Sequence, residues 1–320
     1  MRVIITGAAG FLGRRLVHAL VEKGAIVGPS GRAEPITELV LTDIGPVSPP
    51  TVPEGCTVSA IQGDLSDPAI LAKVTEHPFD SVFHLASQLT FHAEADPDAA
   101  WAVNVAPLQA LIAAAKGCPR IVFASSIAVF GGTLPTEVAD DLAPLPMTTY
   151  GTHKAVNELI LADASRHGRI DGRSLRLPIV LIRPGVAQPV VSDKVAAIAR
   201  EPLEGRDFAA PLSAQTEVPV TSAGSVVAGL IALHDADPSR LPPKRALNLP
   251  ALTITVAEMA SSAARAGATG RVTIQPDADM QAVVDGWPSH FTSRYAAGLG
   301  IASDANFDAV IADYLAHRDL

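Results

Sequence analysis

The feature that most constrains this chain is a glycine-rich turn between a short strand-like segment and an amphipathic helix. Residues 2–6 (RVIIT) form a run of β-branched residues that is typical of a buried strand. Gly7, Gly10 and Gly13 follow with G-x-x-G-x-x-G spacing, and apolar residues at helical intervals then continue to Gly24. This order favours binding of a dinucleotide pyrophosphate, because the glycines allow close approach and the helix N-terminus offers free N–H groups.

Strand and helix patterns continue to alternate along the chain. Further strand patterns occupy 37–43, 57–64, 80–86, the segment that starts at 119, 172–184 and 246–250. Helix patterns separate them, including one long helix over 98–116 and another from Tyr150. We therefore predict the α/β class with a doubly wound parallel sheet of Rossmann type, because βαβ units pair parallel strands beneath helices on both faces.

The pattern changes after Arg183, because residues 184–220 carry many prolines and charges and little periodicity. Residues 1–183 are predicted to form the dinucleotide-binding domain, and 221–250 are predicted to return to it. The remaining segments, 184–220 and 251–320, are predicted to form a smaller substrate lobe.

Composition excludes several classes of partner. The chain has 320 residues, a formal net charge of −9 and no basic run, which argues against a nucleic-acid partner. No apolar stretch of about 20 residues is present, so no membrane span is expected. The two cysteines, Cys56 and Cys118, do not have the spacing of a zinc or other metal site. Unpaired thiols of this kind favour a reducing, cytoplasmic location.

Two acidic residues stand where predicted strands end. Asp43 closes the strand over 37–43, and its carboxylate is predicted to accept hydrogen bonds from the adenosine ribose and to repel a 2′-phosphate. Asp64 closes the next strand and is predicted to meet the adenine edge, or alternatively to cap the following helix. Arg32, in the insertion before Asp43, is the residue that would favour a 2′-phosphate. We predict NAD rather than NADP as the cofactor.

The stretch TTYGTHKAVNELI places Tyr150 and Lys154 four residues apart, on one face of a predicted helix. An ammonium group beside a phenol is expected to lower the phenol pKa from its ordinary value of about 10. A general base works best when its pKa lies near the ambient pH. Ser125 and Ser126 supply hydroxyls at the carboxyl end of the fifth strand, where open α/β sheets bind ligands.

Six short motifs follow one another along the chain: TGAAGFLG, GDLSD, HLAS, NV at 104–105, ASSIAVFGG and YGTHK. With them the chain resembles the extended short-chain dehydrogenases, which include NAD-dependent sugar-nucleotide epimerases and dehydratases. The resemblance implies that Tyr150 is the general acid/base, that Lys154 modulates it and binds ribose, and that Ser126 orients the reacting oxygen. The substrate would contact Ser87, Ser126 and Tyr150. The cofactor would contact Gly7, Gly10, Phe11, Leu12, Gly13, Asp43, Asp64, Leu65, Leu85, Ala86, Ser87, Asn104, Tyr150, Lys154, Pro178 and Ile179.

Segments along most of the chain, including YGTHKAVNELI, REPLEG and GWPSHF, are similar to one branch of this family. That branch oxidises the C2 hydroxyl of a four-carbon sugar acid such as D-erythronate, so we predict NAD-dependent oxidation of a secondary hydroxyl of a small molecule. Two alternatives stay open: a nucleotide-sugar 4-epimerase that retains its NAD, and an NAD-binding regulator without turnover. The resemblance also implies a homodimer formed through the helices at 101–116 and 151–163.

Four further expectations concern single residues. Where the branch usually carries an arginine in the substrate lobe, this chain reads QTEVPVTSAG, and Glu217 is expected to repel a substrate carboxylate. Glu158, one turn beyond Lys154, is expected to form a helical ion pair. Asp140 is expected in a solvated turn. Arg183 is expected to be an ion-pair partner at a hinge, with substrate contact as the alternative.

Overall fold

The structure is a computed structural model that describes residues 1–183, 185 and 191–318. Its strands are β1 (Arg2–Thr6), β2 (Ala25–Val27), β3 (Ala33–Pro35), β4 (Glu38–Asp43), β5 (Thr57–Gln62), β6 (Ser81–His84), β7 (Arg120–Ser126), β8 (Glu137–Val138), β9 (Asp171–Leu177), β10 (Ile179–Leu181), β11 (Phe208–Ala210), β12 (Glu217–Ser222), β13 (Ala246–Asn248), β14 (Leu252–Thr255), β15 (Val272–Ile274) and β16 (His290–Phe291). Its α-helices are α1 (Phe11–Lys23), α2 (Pro68–Val74), α3 (Thr90–Ala95), α4 (Pro97–Asn104), α5 (Ala106–Ala114), α6 (Thr149–Arg166), α7 (Val191–Leu203), α8 (Ala223–Asp235), α9 (Val256–Arg265), α10 (Ala278–Asp285) and α11 (Phe307–His317). Of these helices in the described ranges, none combines the length and apolarity needed to cross a membrane.

Seven of the strands form one parallel sheet in the order β13-β9-β7-β6-β1-β4-β5. The direction of winding reverses between β1 and β6, which are hydrogen-bonded neighbours although β4 and β5 separate them in sequence. The predicted doubly wound α/β fold is confirmed. Sheets of this kind bind ligands in the crevice at the carboxyl ends of the strands beside the reversal.

Helices cover both faces of this sheet. Successive residues of β1 point to opposite sides, so that Ile5 joins one apolar core and Ile4 joins the other. The core around Ile5 contains Leu16 of α1, and the core around Ile4 contains Leu161 of α6. All four side chains are fully buried. Burial on both sides explains why the strand segments are almost continuously apolar.

A second, smaller sheet joins β10, β12 and β14, with β10 parallel and β14 antiparallel to the central β12. Helices α7, α9 and α11 pack with it around a separate apolar core that includes Val195, Met259 and Tyr314.

Two predicted elements are divided in the structure. The strand expected over 172–184 breaks at Pro178, which has no N–H for a sheet ladder, and β10 then pairs in the smaller sheet. The helix expected over 98–116 is two helices that meet at Val105. Pro107 lies in the first turn of the second, where its missing N–H costs nothing.

Candidate active site

A cavity of about 1280 Å³ lies at the carboxyl ends of β1, β4, β6 and β7 and extends to α7 and α10. Pockets for one drug-sized ligand measure about 300–1000 Å³, so this cavity has room for a cofactor and a substrate together. Every predicted site residue except one lines it. These residues are Gly7, Gly10, Phe11, Leu12, Gly13, Asp43, Asp64, Leu65, Leu85, Ala86, Ser87, Ser126, Tyr150, Lys154, Pro178 and Ile179.

The exception is Asn104, which is buried behind the loop that follows β6. Its Oδ1 accepts hydrogen bonds from Ser87 Oγ at 3.1 Å and from Gln88 N at 2.7 Å, and its Nδ2 donates to Gln88 O at 3.1 Å. Asn104 therefore does not line the cavity as predicted. It holds the loop that carries Ser87, because its amide group accepts a hydrogen bond from the Gln88 N–H and donates one to the Gln88 carbonyl.

The glycine-rich turn has the shape that a pyrophosphate requires. Gly7 has φ +73°, and a Cβ there would lie 2.8 Å from Ala86 N. A Cβ on Gly13 would lie 2.0 Å from Gly7 O, so only glycine lets α1 pack this closely on the turn. Gly10 is the N-cap of α1, and it leaves the first N–H groups of the helix without a side-chain acceptor from the cap. This open helix end at the cavity fits the phosphates of a dinucleotide.

Both predicted acidic residues stand at the expected edge of the cavity. Asp43 ends β4, and its carboxylate accepts from Ala9 N at 3.0 Å and Gly45 N at 2.9 Å. Asp64 accepts from Ser66 N at 2.8 Å, whereas the cap of α2 is Asp67. The alternative that Asp64 caps this helix is therefore wrong.

Tyr150 lies in the first turn of α6, which begins beside the end of β7. The N-cap Thr148 accepts a hydrogen bond from Gly151 N at 3.0 Å through its Oγ1. A Cβ on Gly151 would lie 2.1 Å from Ala128 O, so the absence of a side chain allows this close contact. The approach brings the Tyr150 phenol next to the Ser126 hydroxyl.

Lys154 lies one turn further along α6 and is buried. Its ammonium donates a hydrogen bond to Ala124 O at 2.7 Å and lies 5.4 Å from the centroid of the Tyr150 ring. Burial lowers the pKa of Lys154 to about 7, although the carboxylate of Glu158 opposes this change. The lysine is thus held by the backbone of β7 and directed towards the tyrosine.

The pKa of Tyr150 moves in the direction opposite to the sequence expectation. Burial raises it to about 12, while the Ser126 hydroxyl and the charge of Arg183 act to lower it. The ammonium of Lys154 was expected to lower this pKa, but the removal of the phenol from water outweighs the Ser126 hydroxyl and the charge of Arg183. Burial of the ring thus favours the protonated phenol over the phenolate.

Glu158 forms a buried ion pair that sequence analysis missed. Its Oε2 lies 2.7 Å from Arg176 Nη2, and its Oε1 accepts from Arg176 Nε at 2.9 Å and from Ser125 Oγ at 2.6 Å. The expected surface ion pair on the helix is therefore wrong. The partner of Arg176 lies 18 residues away, and no local pattern identifies it. The pair fastens α6 to β7 and β9.

Arg183 lines the cavity, and Glu217 does not. Glu217 is exposed at the start of β12, opposite Thr255 of β14, so it is not positioned to repel a substrate in this cavity. Among the lining residues in the described ranges, the cations are Lys154 and Arg183. The positive charge of Arg183 acts to lower the pKa of Tyr150, so the two side chains interact electrostatically.

These features define the class of protein: an extended short-chain dehydrogenase that uses a nicotinamide cofactor. Residues 3–237 match the sequence profile of the NAD dependent epimerase/dehydratase family, and the chain belongs to this family. Its cofactor is NAD, and it is a dehydrogenase that acts on a CH–OH group.

Three relatives show the extent of the similarity. The D-erythronate dehydrogenase of Cupriavidus necator is 38% identical over 98% of both chains. The D-erythronate dehydrogenase of Haemophilus influenzae is 34% identical over 98% of this chain and 99% of its own. The crystal structure of the nucleoside-diphosphate-sugar epimerase from Agrobacterium tumefaciens superposes with a TM-score of 0.89 at 33% identity, over 99% of this chain and 94% of that one.

Proposed function

We propose that the protein oxidises the C2 hydroxyl of a small sugar acid such as D-erythronate to the 2-oxo acid, with reduction of NAD. The observation that carries this proposal is the meeting of Ser126, Tyr150 and Lys154 with the glycine-rich turn and Arg183 in one cavity. Two relatives that bear the name D-erythronate dehydrogenase and align over nearly the whole chain support the substrate class.

In this proposal Tyr150 takes the proton of the substrate hydroxyl. Ser126 donates a hydrogen bond to the same oxygen and fixes its position beside the phenol. Lys154, held by Ala124 O, keeps a positive charge next to the phenolate that forms. When bound in its oxidised form, NAD supplies the hydride acceptor and a positive charge that favours the phenolate. The protein contributes orientation and control of the proton.

Arg183 is the proposed partner of the substrate carboxylate. A guanidinium group binds a carboxylate through two parallel hydrogen bonds, and this geometry fixes the orientation of the acid. Placing the carboxylate at Arg183 leaves the neighbouring C2 hydroxyl free to reach Tyr150, on whose pKa Arg183 already acts. Arg183, which follows β10, would thus take the place of the arginine that this branch of the family usually carries in the substrate lobe.

Two alternatives are less well supported. A nucleotide-sugar 4-epimerase must hold a diphosphate, and the lining cations in the described part of the chain are only Lys154 and Arg183. An NAD-binding regulator has no need of a tyrosine and a lysine held beside a serine.

We also infer a homodimer through the helices at 101–116 and 151–163, which carry the exposed Trp101 and Leu159. The division into a domain over 1–183 and a separate substrate lobe remains a proposal.

The proposal is tested by following NADH absorbance with D-erythronate, L-threonine and UDP-glucose, each with NAD and with NADP. We expect net NADH formation with D-erythronate and NAD. Absence of turnover with every hydroxy acid, together with interconversion of UDP-glucose and UDP-galactose without net NADH, would establish the epimerase instead.

A further inference from the structure

Exposed apolar side chains are concentrated around the cavity. Ten large apolar side chains are exposed in the described part of the chain, and five of them line this one cavity. Ile44 is at the nucleotide end, next to Asp43. The other four, which with the half-buried Trp287 we call the apolar rim, come from separate segments. They are Leu89, Phe91, Met147 and Val283.

Two members of the apolar rim, Met147 and Phe91, lie close to the helix that carries Tyr150. Met147 directly precedes the N-cap of α6, three residues before Tyr150. Phe91 is in α3, which packs against α6, and Glu94 of the same helix accepts a hydrogen bond from Thr149 N at 2.6 Å. Val283 belongs to α10, which also lines the cavity. These side chains therefore add an exposed apolar lining to the cavity that contains Tyr150.

Two carboxylates of the cavity lining are already engaged in the described part of the chain. Glu94 is bonded to the first turn of α6, and Asp193 forms a buried ion pair with Arg200, at 2.8 Å. The side chains of the apolar rim themselves offer no hydrogen bond to a substrate. An apolar group would gain from contact with them. The chemistry of the site thus suits an acid at Arg183 and an apolar end at the rim.

We propose that the apolar rim is a subsite for the end of the substrate remote from the carboxylate, and that the enzyme oxidises 2-hydroxy acids with an aryl or branched alkyl end group. This inference rests on the proposed function. The reaction is R–CH(OH)–COO⁻ + NAD⁺ → R–CO–COO⁻ + NADH + H⁺. The C2 hydride goes to NAD⁺, and the hydroxyl proton leaves through Tyr150 to solvent.

The test compares 3-phenyllactate with lactate, which lacks the apolar end, and uses both enantiomers of each; D-erythronate is assayed in parallel. We expect kcat/KM for one enantiomer of 3-phenyllactate to exceed that for lactate by about tenfold or more, the scale of one buried apolar group. Phe91→Ser should reduce this ratio about tenfold, because the ring contact is lost. Leu315→Ser, an exposed apolar residue of α11 outside the cavity, is the matched control and should keep the ratio.

The outcomes separate the two proposals. Oxidation of D-erythronate with equal kcat/KM for 3-phenyllactate and lactate would overturn the apolar subsite and leave the proposed function standing. An unchanged ratio in Phe91→Ser, repeated in Val283→Ser, would also overturn it. Turnover of 3-phenyllactate without turnover of D-erythronate would support the subsite and replace the sugar acid as substrate. If no hydroxy acid reduces NAD, both proposals fail.

Discussion

Replacement of Glu158 by glutamine tests whether the buried ion pair holds the catalytic helix in place. The carboxylate is 5% exposed and its partner Arg176 is 1% exposed, and it accepts hydrogen bonds from two guanidinium nitrogens and from Ser125 Oγ. Glutamine keeps the shape of the side chain but leaves the arginine charge uncompensated. Breaking a buried pair in this way costs about 3–5 kcal/mol. For a chain of this length that corresponds to a decrease in Tm of about 4–8 °C.

The matched control is Asp163→Asn on the same helix. Asp163 pairs with Arg166, but the two side chains are 62% and 69% exposed, so the loss should stay below about 1 kcal/mol. Thermal unfolding followed by circular dichroism, with urea unfolding as a second measure, compares both variants with the wild type. Because Glu158 acts to raise the pKa of Lys154, the Glu158→Gln variant should also lose activity at lower pH on the alkaline side. A Glu158→Gln variant as stable as Asp163→Asn would refute the reasoning.

Three other predictions concern the cofactor site and the core. Gly13→Ala should weaken NAD binding at least about tenfold in a fluorescence titration, because the new Cβ would meet Gly7 O at 2.0 Å, and wild-type affinity would contradict this. Asp43→Asn should raise the ratio of kcat/KM with NADP to that with NAD, since the charge that repels a 2′-phosphate is lost. Burial lowers the pKa of His84 to about 3, so the folded state stays unprotonated while the unfolded chain gains a proton below about pH 6.5. Stability from this residue is therefore lost as pH falls from 6.5 to 3. Between pH 6 and 5 the wild type should lose about 1.2 kcal/mol more in urea unfolding than His84→Gln, and equal losses would contradict the prediction.

The strands, turns and helices that are determined by neighbouring residues could be predicted from the sequence. The central strands are short β-branched runs buried on both faces, and the glycine spacing reflects contacts within one turn, such as Gly13 against Gly7. Tyr150 and Lys154 were found because four residues span one helical turn.

The interactions that sequence analysis missed join distant residues. Asp140, expected in a solvated turn, is 1% exposed and accepts hydrogen bonds from Asn248 N at 2.8 Å, Ser293 Oγ at 2.9 Å and Arg294 N at 3.0 Å. These partners follow more than 100 residues later, so nothing near Asp140 indicates its burial. The raised pKa of Tyr150 has a similar origin, since desolvation depends on every element packed around the ring.

Helix α7 was missed for a different physical reason. Pro202 lies inside the helix, and a proline within a helical pattern normally predicts that the helix ends there. In the structure Arg200 and Asp193 pair at 2.8 Å inside the lobe, so two charged positions lie on the buried face of the helix. In the sequence a charged residue predicts a solvent-exposed position, whereas Asp193 and Arg200 are both buried as a pair.

The most direct test of the account is the rate of hydride transfer in Tyr150→Phe. Single-turnover formation of NADH is measured with saturating NAD and the best hydroxy acid substrate, and NAD binding is followed separately by fluorescence. If Tyr150 removes the hydroxyl proton, the rate should fall about 10²–10⁴-fold while NAD still binds. A variant that binds NAD and transfers hydride within a factor of about two of the wild-type rate would contradict the account.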